Sequence, residues 1–88
     1  MVIIKTQVFA MEKSYNVRIM LRKEPEGGYT AYVPSLPSCV TYGDTIDEAV
    51  DMVREAVGIY IERLIEHNEP VPSDDEVLEY NLQIKAQA

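Results

Sequence analysis

The sequence predicts a single α+β domain in which a small, mainly antiparallel sheet packs against one long helix. Three observations support this fold class: apolar and polar residues alternate over 15–22, a turn rich in proline and glycine follows, and apolar residues recur at helical spacing over 46–65. The 88 residues suffice for one hydrophobic core only. We therefore expect residues 1–88 to form one domain with the element order β-β-β-α-β.

The first two strands are predicted to form a β-hairpin. Val17, Ile19 and Leu21 alternate with residues of opposite character, which places these three side chains on one side of a half-buried strand. Residues 23–28 then supply a proline and two glycines that tolerate positive φ, and residues 29–33 resume the extended pattern. This order indicates a strand that turns back to pair with its successor.

A short third strand and a long helix follow the hairpin. The two prolines within 34–38 lack backbone donors, so the chain leaves the sheet there before a third strand over 39–42. Thr45 and Glu48 have the spacing of a capping box, in which each side chain satisfies a free backbone donor of the other residue. The apolar residues after this box keep a 3-4 spacing for about five turns at 3.6 residues per turn, which predicts an amphipathic helix.

The end of this helix is marked by its polar residues. His67 suits the negative end of the helix dipole, and Asn68 is typical of the left-handed residue that stops a helix. Gly58 is unusual inside the helix, because it costs roughly 1 kcal/mol relative to alanine. We expect it to permit the close approach of a strand or a neighbouring helix.

Both ends of the chain extend beyond the central pattern of residues 15–72. Residues 1–14 are predicted to be either an extension or, over 2–9, an additional edge strand. Residues 73–76 form a charged connector, and the alternation over 77–84 predicts a final strand within the segment 73–88. The sheet is therefore expected to contain three or four strands.

Cysteine and hydrophobic content indicate a cytoplasmic protein. The one cysteine, Cys39, excludes an internal disulfide and fits a reducing compartment. No apolar run approaches the ~18 residues of a membrane span, and the first ten residues do not have the pattern of a secretory signal. We expect no membrane association.

The formal net charge of −7 is concentrated in the second half of the chain. Residues 1–43 carry five basic and three acidic residues, whereas residues 44–88 carry three basic and twelve acidic ones. Such a surface repels phosphate backbones and steers basic partners toward it, so direct nucleic-acid binding by this chain alone is not expected. The alternative is that the acidity serves solubility alone.

The acidic residues are not arranged as a catalytic or metal site. They are predicted to lie on the solvent side of the helix or in connectors, and the two hairpin strands contain none. Cys39 and His67 belong to no nucleophile motif and are too few for a zinc site. We therefore expect no enzyme activity, no metal and no cofactor. The alternative, a metal-dependent nuclease, would use Asp44 or Asp47.

One row of acidic residues favours a basic partner. Asp47, Asp51 and Glu55 stand at i, i+4 and i+8 on the helix, where like charges cost a few tenths of a kcal/mol per pair. A basic protein surface would relieve this repulsion. Relief by the nearby Arg54 or by solvent and salt is the alternative.

The segment 28–49 reads GYTAYVPSLPSCVTYGDTIDEA and closely resembles the signature of the HicB-like antitoxins. The resemblance extends over 15–72, where the helix and the sequence EPVP at 69–72 follow in the expected order. Ser38 departs from the family pattern, which usually has glycine before the cysteine. This difference affects the turn geometry expected at that position but not the expected fold.

The resemblance implies a fold similar to a truncated ribonuclease H domain without its catalytic carboxylates. It also implies a partner, a small basic HicA-type toxin that cleaves mRNA and whose active site the antitoxin covers. Self-association as a homodimer or higher homo-oligomer is a further implication. Our expected contacts with the toxin are a tyrosine-proline edge and the acidic row: Tyr32, Pro34, Leu36, Pro37, Asp47, Asp51 and Glu55.

Two further expectations follow from the resemblance. Many family members carry a second, DNA-binding domain, but only sixteen residues follow Pro72 here, so transcriptional autoregulation is not expected of this chain alone. The alternative function is that of an orphan domain of the same fold, used for oligomerisation or ligand sensing without a toxin.

Overall fold

A computed structural model describes residues 13–87, and these form a three-stranded sheet and one helix. The strands are β1 (Met20–Lys23), β2 (Tyr29–Tyr32) and β3 (Val40–Gly43), and the helix α1 spans Ile46–Glu66. The sheet is antiparallel with the order β1-β2-β3. The predicted α+β arrangement is confirmed. The extension or extra strand predicted within residues 1–14 lies almost entirely outside the described residues.

The predicted hairpin between β1 and β2 is confirmed, and its two glycines have the expected conformation. Gly27 and Gly28 have φ angles of 109° and 82°, in the region that favours glycine. The N–H of Glu24 donates to the carbonyl of Gly28 (3.0 Å), and the N–H of Gly27 donates to the carbonyl of Glu24 (3.1 Å). The turn thereby fixes the register in which Lys23 pairs with Tyr29.

The register divides the side chains of the sheet between two faces. Ala31 of β2 is flanked by Leu21 and Thr41, and α1 packs on this face. The core between sheet and helix contains eight buried residues: Ala31, Val33, Leu36, Cys39, Ala49, Val53, Val57 and Leu64. Val17 and Ile19, which precede β1, pack against this core as their alternation predicts.

A tight bend joins β3 to α1. The N–H of Glu48 donates to the Thr45 hydroxyl oxygen (3.1 Å), as the capping box predicts. The Glu48 carboxylate accepts from the N–H of Asp44 (2.9 Å), one residue earlier than expected. A Cβ atom added at Gly43 would lie 2.9 Å from the Cα of Ala49, so only glycine lets β3 pass this close to the helix.

The end of α1 agrees with the prediction, whereas the role expected for Gly58 is wrong. Asn68 has a φ of 57°, and the N–H of the next residue, Glu69, donates back to the carbonyl of Leu64 (2.9 Å). Gly58, in contrast, is exposed, and a Cβ built there would meet no atom within 4 Å. It allows no close approach by the described residues, because it lies on the solvent side of the helix.

The final strand predicted over 77–84 is absent from the sheet formed by residues 13–87. Residues 73–77, which we call the anchor turn, are bonded to the body of the domain. Residues 78–87, which we call the arm, are exposed throughout. The alternating pattern is real, but beyond Val77 the arm pairs with no described strand of its own chain.

Candidate partner-binding surface

The face of the sheet opposite α1 carries two rows of side chains, one apolar and aromatic and the other mixed. Met20, Tyr32 and Val40 lie side by side across the three strands in one row. Arg22, Thr30 and Tyr42 form the second. Val40 is 55% exposed and Tyr42 is 49% exposed, although strand residues with such side chains are usually covered. We call this the outer face.

A groove of about 270 Å³ lies at the proline-rich end of the outer face. Tyr32, Pro34, Pro37 and Val40 line it, together with Arg22. The Arg22 guanidinium carbon lies 6.0 Å from the centre of the Tyr32 ring, at the outer limit of a cation–π contact. Three of the predicted contact residues, Tyr32, Pro34 and Pro37, are thus brought together here.

The prediction for Leu36 as a contact residue is wrong. Its side chain is only 2% exposed and belongs to the core. Two successive turns cause this: the N–H of Leu36 donates to the carbonyl of Val33 (2.9 Å), and the N–H of Cys39 donates to the carbonyl of Leu36 (2.8 Å). The segment between β2 and β3 therefore turns Leu36 inward and leaves the prolines outside.

The predicted acidic row is exposed on α1, in the layer behind the sheet. Asp47, Asp51 and Glu55 are all exposed. A guanidinium nitrogen of Arg54 lies 3.7 Å from a carboxylate oxygen of Asp51, which agrees with the alternative of local relief by Arg54. Both side chains of this pair are about three-quarters exposed, so the pair contributes little to stability.

β3 lies between the outer face and one member of the acidic row, Asp51. A second groove, of about 340 Å³, lies between β3 and the start of α1. Tyr42 and Met52 line it together with three acidic residues, Asp44, Glu48 and Asp51. Val40 thus lines the first groove, which we call the proline groove, and Tyr42 lines the second, which we call the acidic groove. The sequence analysis missed both residues, although their alternation with Thr41 is the signal that places them on the face opposite the helix.

Glu24 is held in its ionised form at the edge of the outer face. Its carboxylate accepts from the Thr30 hydroxyl (2.6 Å) and from Nε of Arg22 (3.0 Å). The hydrogen bond from Thr30 is the main cause, and that from Arg22 the second, of a pKa for Glu24 below its ordinary value of 4.5. The group orders Arg22 and the hairpin turn.

The two residues considered as a nucleophile and its base have separate structural roles. Cys39 is buried in the core, and burial raises the pKa of its thiol, so the reactive thiolate is disfavoured. His67 is exposed and caps α1, with its Nδ1 atom 2.8 Å from the carbonyl oxygen of Arg63. Neither arrangement resembles an activated nucleophile.

The described part of the chain gathers no acidic cluster suited to a metal ion. Within residues 13–87, no three side chains of histidine, cysteine, aspartate or glutamate are grouped so that they could hold one. Asp44 and Asp47, the residues of the nuclease alternative, are both exposed. The same residues contain no helix with the length and hydrophobicity needed to cross a membrane.

Comparison with known proteins identifies the family. A family model described as the HicB-like antitoxin of bacterial toxin-antitoxin systems matches residues 15–86. A UPF0150 protein of Synechocystis is 46% identical over 61 residues, which cover 69% of this chain and 77% of that relative. A UPF0150 protein of Thermoplasma acidophilum is 42% identical over 57 residues, which cover 65% and 83% of the two chains.

A further relative carries a functional name. Antitoxin HicB 1 of Photorhabdus laumondii is 39% identical over 59 residues, which cover 65% of this chain and 38% of the relative. The family model alone spans more than half of the chain, from just before β1 to the arm. The chain therefore belongs to the HicB-like antitoxin family.

Proposed function

We propose that this chain binds a small basic HicA-type toxin and neutralises its mRNA-cleaving activity by covering the toxin's active site. Family membership supports the antitoxin role. The observation that carries the proposed mode of binding is the exposed edge strand β3, which lies between the proline groove and the acidic groove. Action in the cytoplasm is part of the proposal, because the lone cysteine needs no oxidising compartment.

The two grooves have different proposed tasks. The Tyr32-Pro34-Pro37 groove, with Val40, supplies apolar and aromatic surface, which is the kind of surface that holds most complexes together. Asp51 in the acidic groove supplies negative charge together with Asp47 and Glu55 on the same helix, and this charge speeds the encounter with a basic protein. A toxin seated across β3 would contact both, and its active site would be closed to RNA by the bulk of the domain.

The chain is also proposed to self-associate, as a homodimer or higher homo-oligomer. Exposed apolar residues outside the two grooves support this part of the proposal, Leu78 at 89% and Tyr80 at 85% being the most exposed.

The experiment uses the purified chain and the product of a small basic reading frame adjacent to its gene. Binding is followed by the association rate, and neutralisation by protection of an RNA substrate. Replacing Asp51 and Glu55 by lysine should lower the association rate by about tenfold or more at low salt, with a smaller loss at high salt. The matched control replaces Glu62 and Glu66, which are exposed further along α1, and changes the net charge equally.

A third variant, Val40→Lys, tests the outer face. Val40 is exposed, so the substitution should leave folding intact and shorten the lifetime of the complex. If the unmodified chain forms no complex and gives no protection of RNA, the toxin-binding proposal is rejected. RNA cleavage by the chain itself in the presence of Mg²⁺ would support the nuclease alternative.

A further inference from the structure

The arm has the residue pattern of an amphipathic strand. Leu78, Tyr80, Leu82 and Ile84 alternate with polar residues, so in an extended chain they share one side, and Glu79, Asn81, Gln83 and Lys85 share the other. All four apolar side chains are at least 64% exposed. An exposed strand of this kind also presents unpaired backbone donors and acceptors, which favours pairing with another strand.

The base of the arm is fixed to the domain by a buried carboxylate. Asp74 is 8% exposed, and its Oδ2 atom accepts from the N–H of Arg18 (2.7 Å) and from the Ser35 hydroxyl (3.3 Å). The N–H of Asp74 donates to the carbonyl of Asn16 (2.8 Å). The Arg18 side chain donates to the carbonyl of Val77. The arm therefore leaves the domain from a defined point beside the chain that leads into β1.

Building on the self-association proposed above, we propose that the arm pairs antiparallel with the arm of a second copy of this chain about a two-fold axis. Because apolar and polar residues alternate along the arm, the pairing is restricted to registers that place the apolar side chains of both arms on the same face. Lys85 is the one cation of the arm and Glu79 its one acid. The register that places these two residues opposite each other also sets Leu82 opposite Leu82 of the second copy, and Tyr80 opposite Ile84.

The charge of the chain supports pairing through the arms in preference to pairing through the helices. Each copy has a net charge of −7, and α1 exposes the acidic row. Nine paired residues of arm separate the two domains by roughly 30 Å at about 3.4 Å per residue. This exceeds the Debye length of about 8 Å at physiological ionic strength, so the repulsion between the domains is screened.

At the base of each arm, Glu79 lies beside a second positively charged residue, Arg18. A guanidinium nitrogen of Arg18 lies 4.0 Å from a carboxylate oxygen of Glu79, and both side chains are partly exposed. In the proposed register, Lys85 of the second copy reaches the same carboxylate. Two such clusters form, one at each end of the paired arms, as the symmetry of a two-fold interface requires.

The paired arms keep an apolar face. An isolated two-stranded ribbon is at best marginally stable in water, so this face needs cover. Stacking of two ribbons through their apolar faces would bury it and would give an assembly of four copies. The arm-to-arm pairing is the same in assemblies of two and of four.

The test is a cysteine cross-link at the proposed axis. Leu82→Cys places two thiols directly opposite each other, at a Cα separation within the roughly 4.4–6.8 Å that a disulfide spans. Mild oxidation should convert most of this variant to a covalent dimer. The matched control is Asn81→Cys, whose thiols would be two residues out of register and should not cross-link. The unmodified chain, whose Cys39 is buried, should give no dimer.

A second variant ends at Val77 and keeps the anchor turn. It should fold with the helix content of α1 intact and sediment as a monomer, whereas the full chain should sediment as two or four copies. A full-length chain that is monomeric at high concentration would overturn the proposal. So would cross-linking of Asn81→Cys in place of Leu82→Cys, or an unchanged assembly after removal of the arm.

Discussion

The interface between α1 and the sheet and the arm both contain apolar side chains at regular intervals, but the chain buries only the first set. Ala31, Val53 and Leu36 are at most 2% exposed, whereas Leu78 and Tyr80 of the arm are more than 80% exposed. In the first region, apolar residues at helical spacing on α1 pack against apolar residues at strand spacing in the sheet. In the second, one strand has no partner among residues 13–87. Periodicity thus identifies a surface to be buried without identifying what buries it.

The largest expected effect is on folding stability, and it comes from replacing a leucine by alanine in each of the two regions. Leu36→Ala should destabilise the folded chain by about 2–5 kcal/mol, because it leaves a cavity in the core. Leu82→Ala should change stability by less than about 0.5 kcal/mol when the chain is dilute enough to be monomeric, because Leu82 is exposed. Urea denaturation measures both. Equal losses would mean that the arm is part of the core.

An intermediate effect is expected at the junction between the two regions. Asp74→Ala removes a buried carboxylate that accepts from the partly buried Arg18 N–H, and it should cost about 1–3 kcal/mol in urea denaturation. The control Asp75→Ala removes the same charge from the adjacent, exposed position and should cost about 0.5 kcal/mol or less. If the two variants are equally stable, the arm is not anchored by Asp74.

The smallest effect concerns the solvent side of α1. Gly58→Ala should stabilise the chain by roughly 0.5–1 kcal/mol, because alanine restricts the unfolded chain and the added methyl group meets nothing within 4 Å. The same substitution at Gly43 should destabilise, because its methyl group would collide with the backbone of Ala49. Thermal denaturation of both variants supplies the comparison. Destabilisation by Gly58→Ala would place an unrecognised contact on this side of the helix.

Local signals predicted the elements of the fold well. Thr45 and Asn68 mark the two ends of α1, and the two glycines after Pro25 mark the hairpin, because caps and turns are determined by neighbouring residues. The family resemblance added the expected antitoxin role, and the family is confirmed.

Non-local contacts account for what the sequence did not predict. Asp74 was assigned to a charged connector, yet it is buried because residues more than 35 positions earlier in the chain supply its partners. Leu36 lies between two prolines that suggested an exposed edge, but paired turns direct it into the core. The final strand was predicted from alternation alone, and alternation contains no information about which chain provides the neighbouring strand.

The network around Asp74 also has a consequence for synthesis on the ribosome. It joins segments near residues 16, 35 and 74, so a nascent chain cannot close it until the last of these has emerged. A chain that ends between residues 67 and 73 would contain the hairpin and α1 segments but would leave the N–H of Arg18 without its acceptor. Such fragments should unfold more readily than the full chain and should therefore be cleaved faster by proteases.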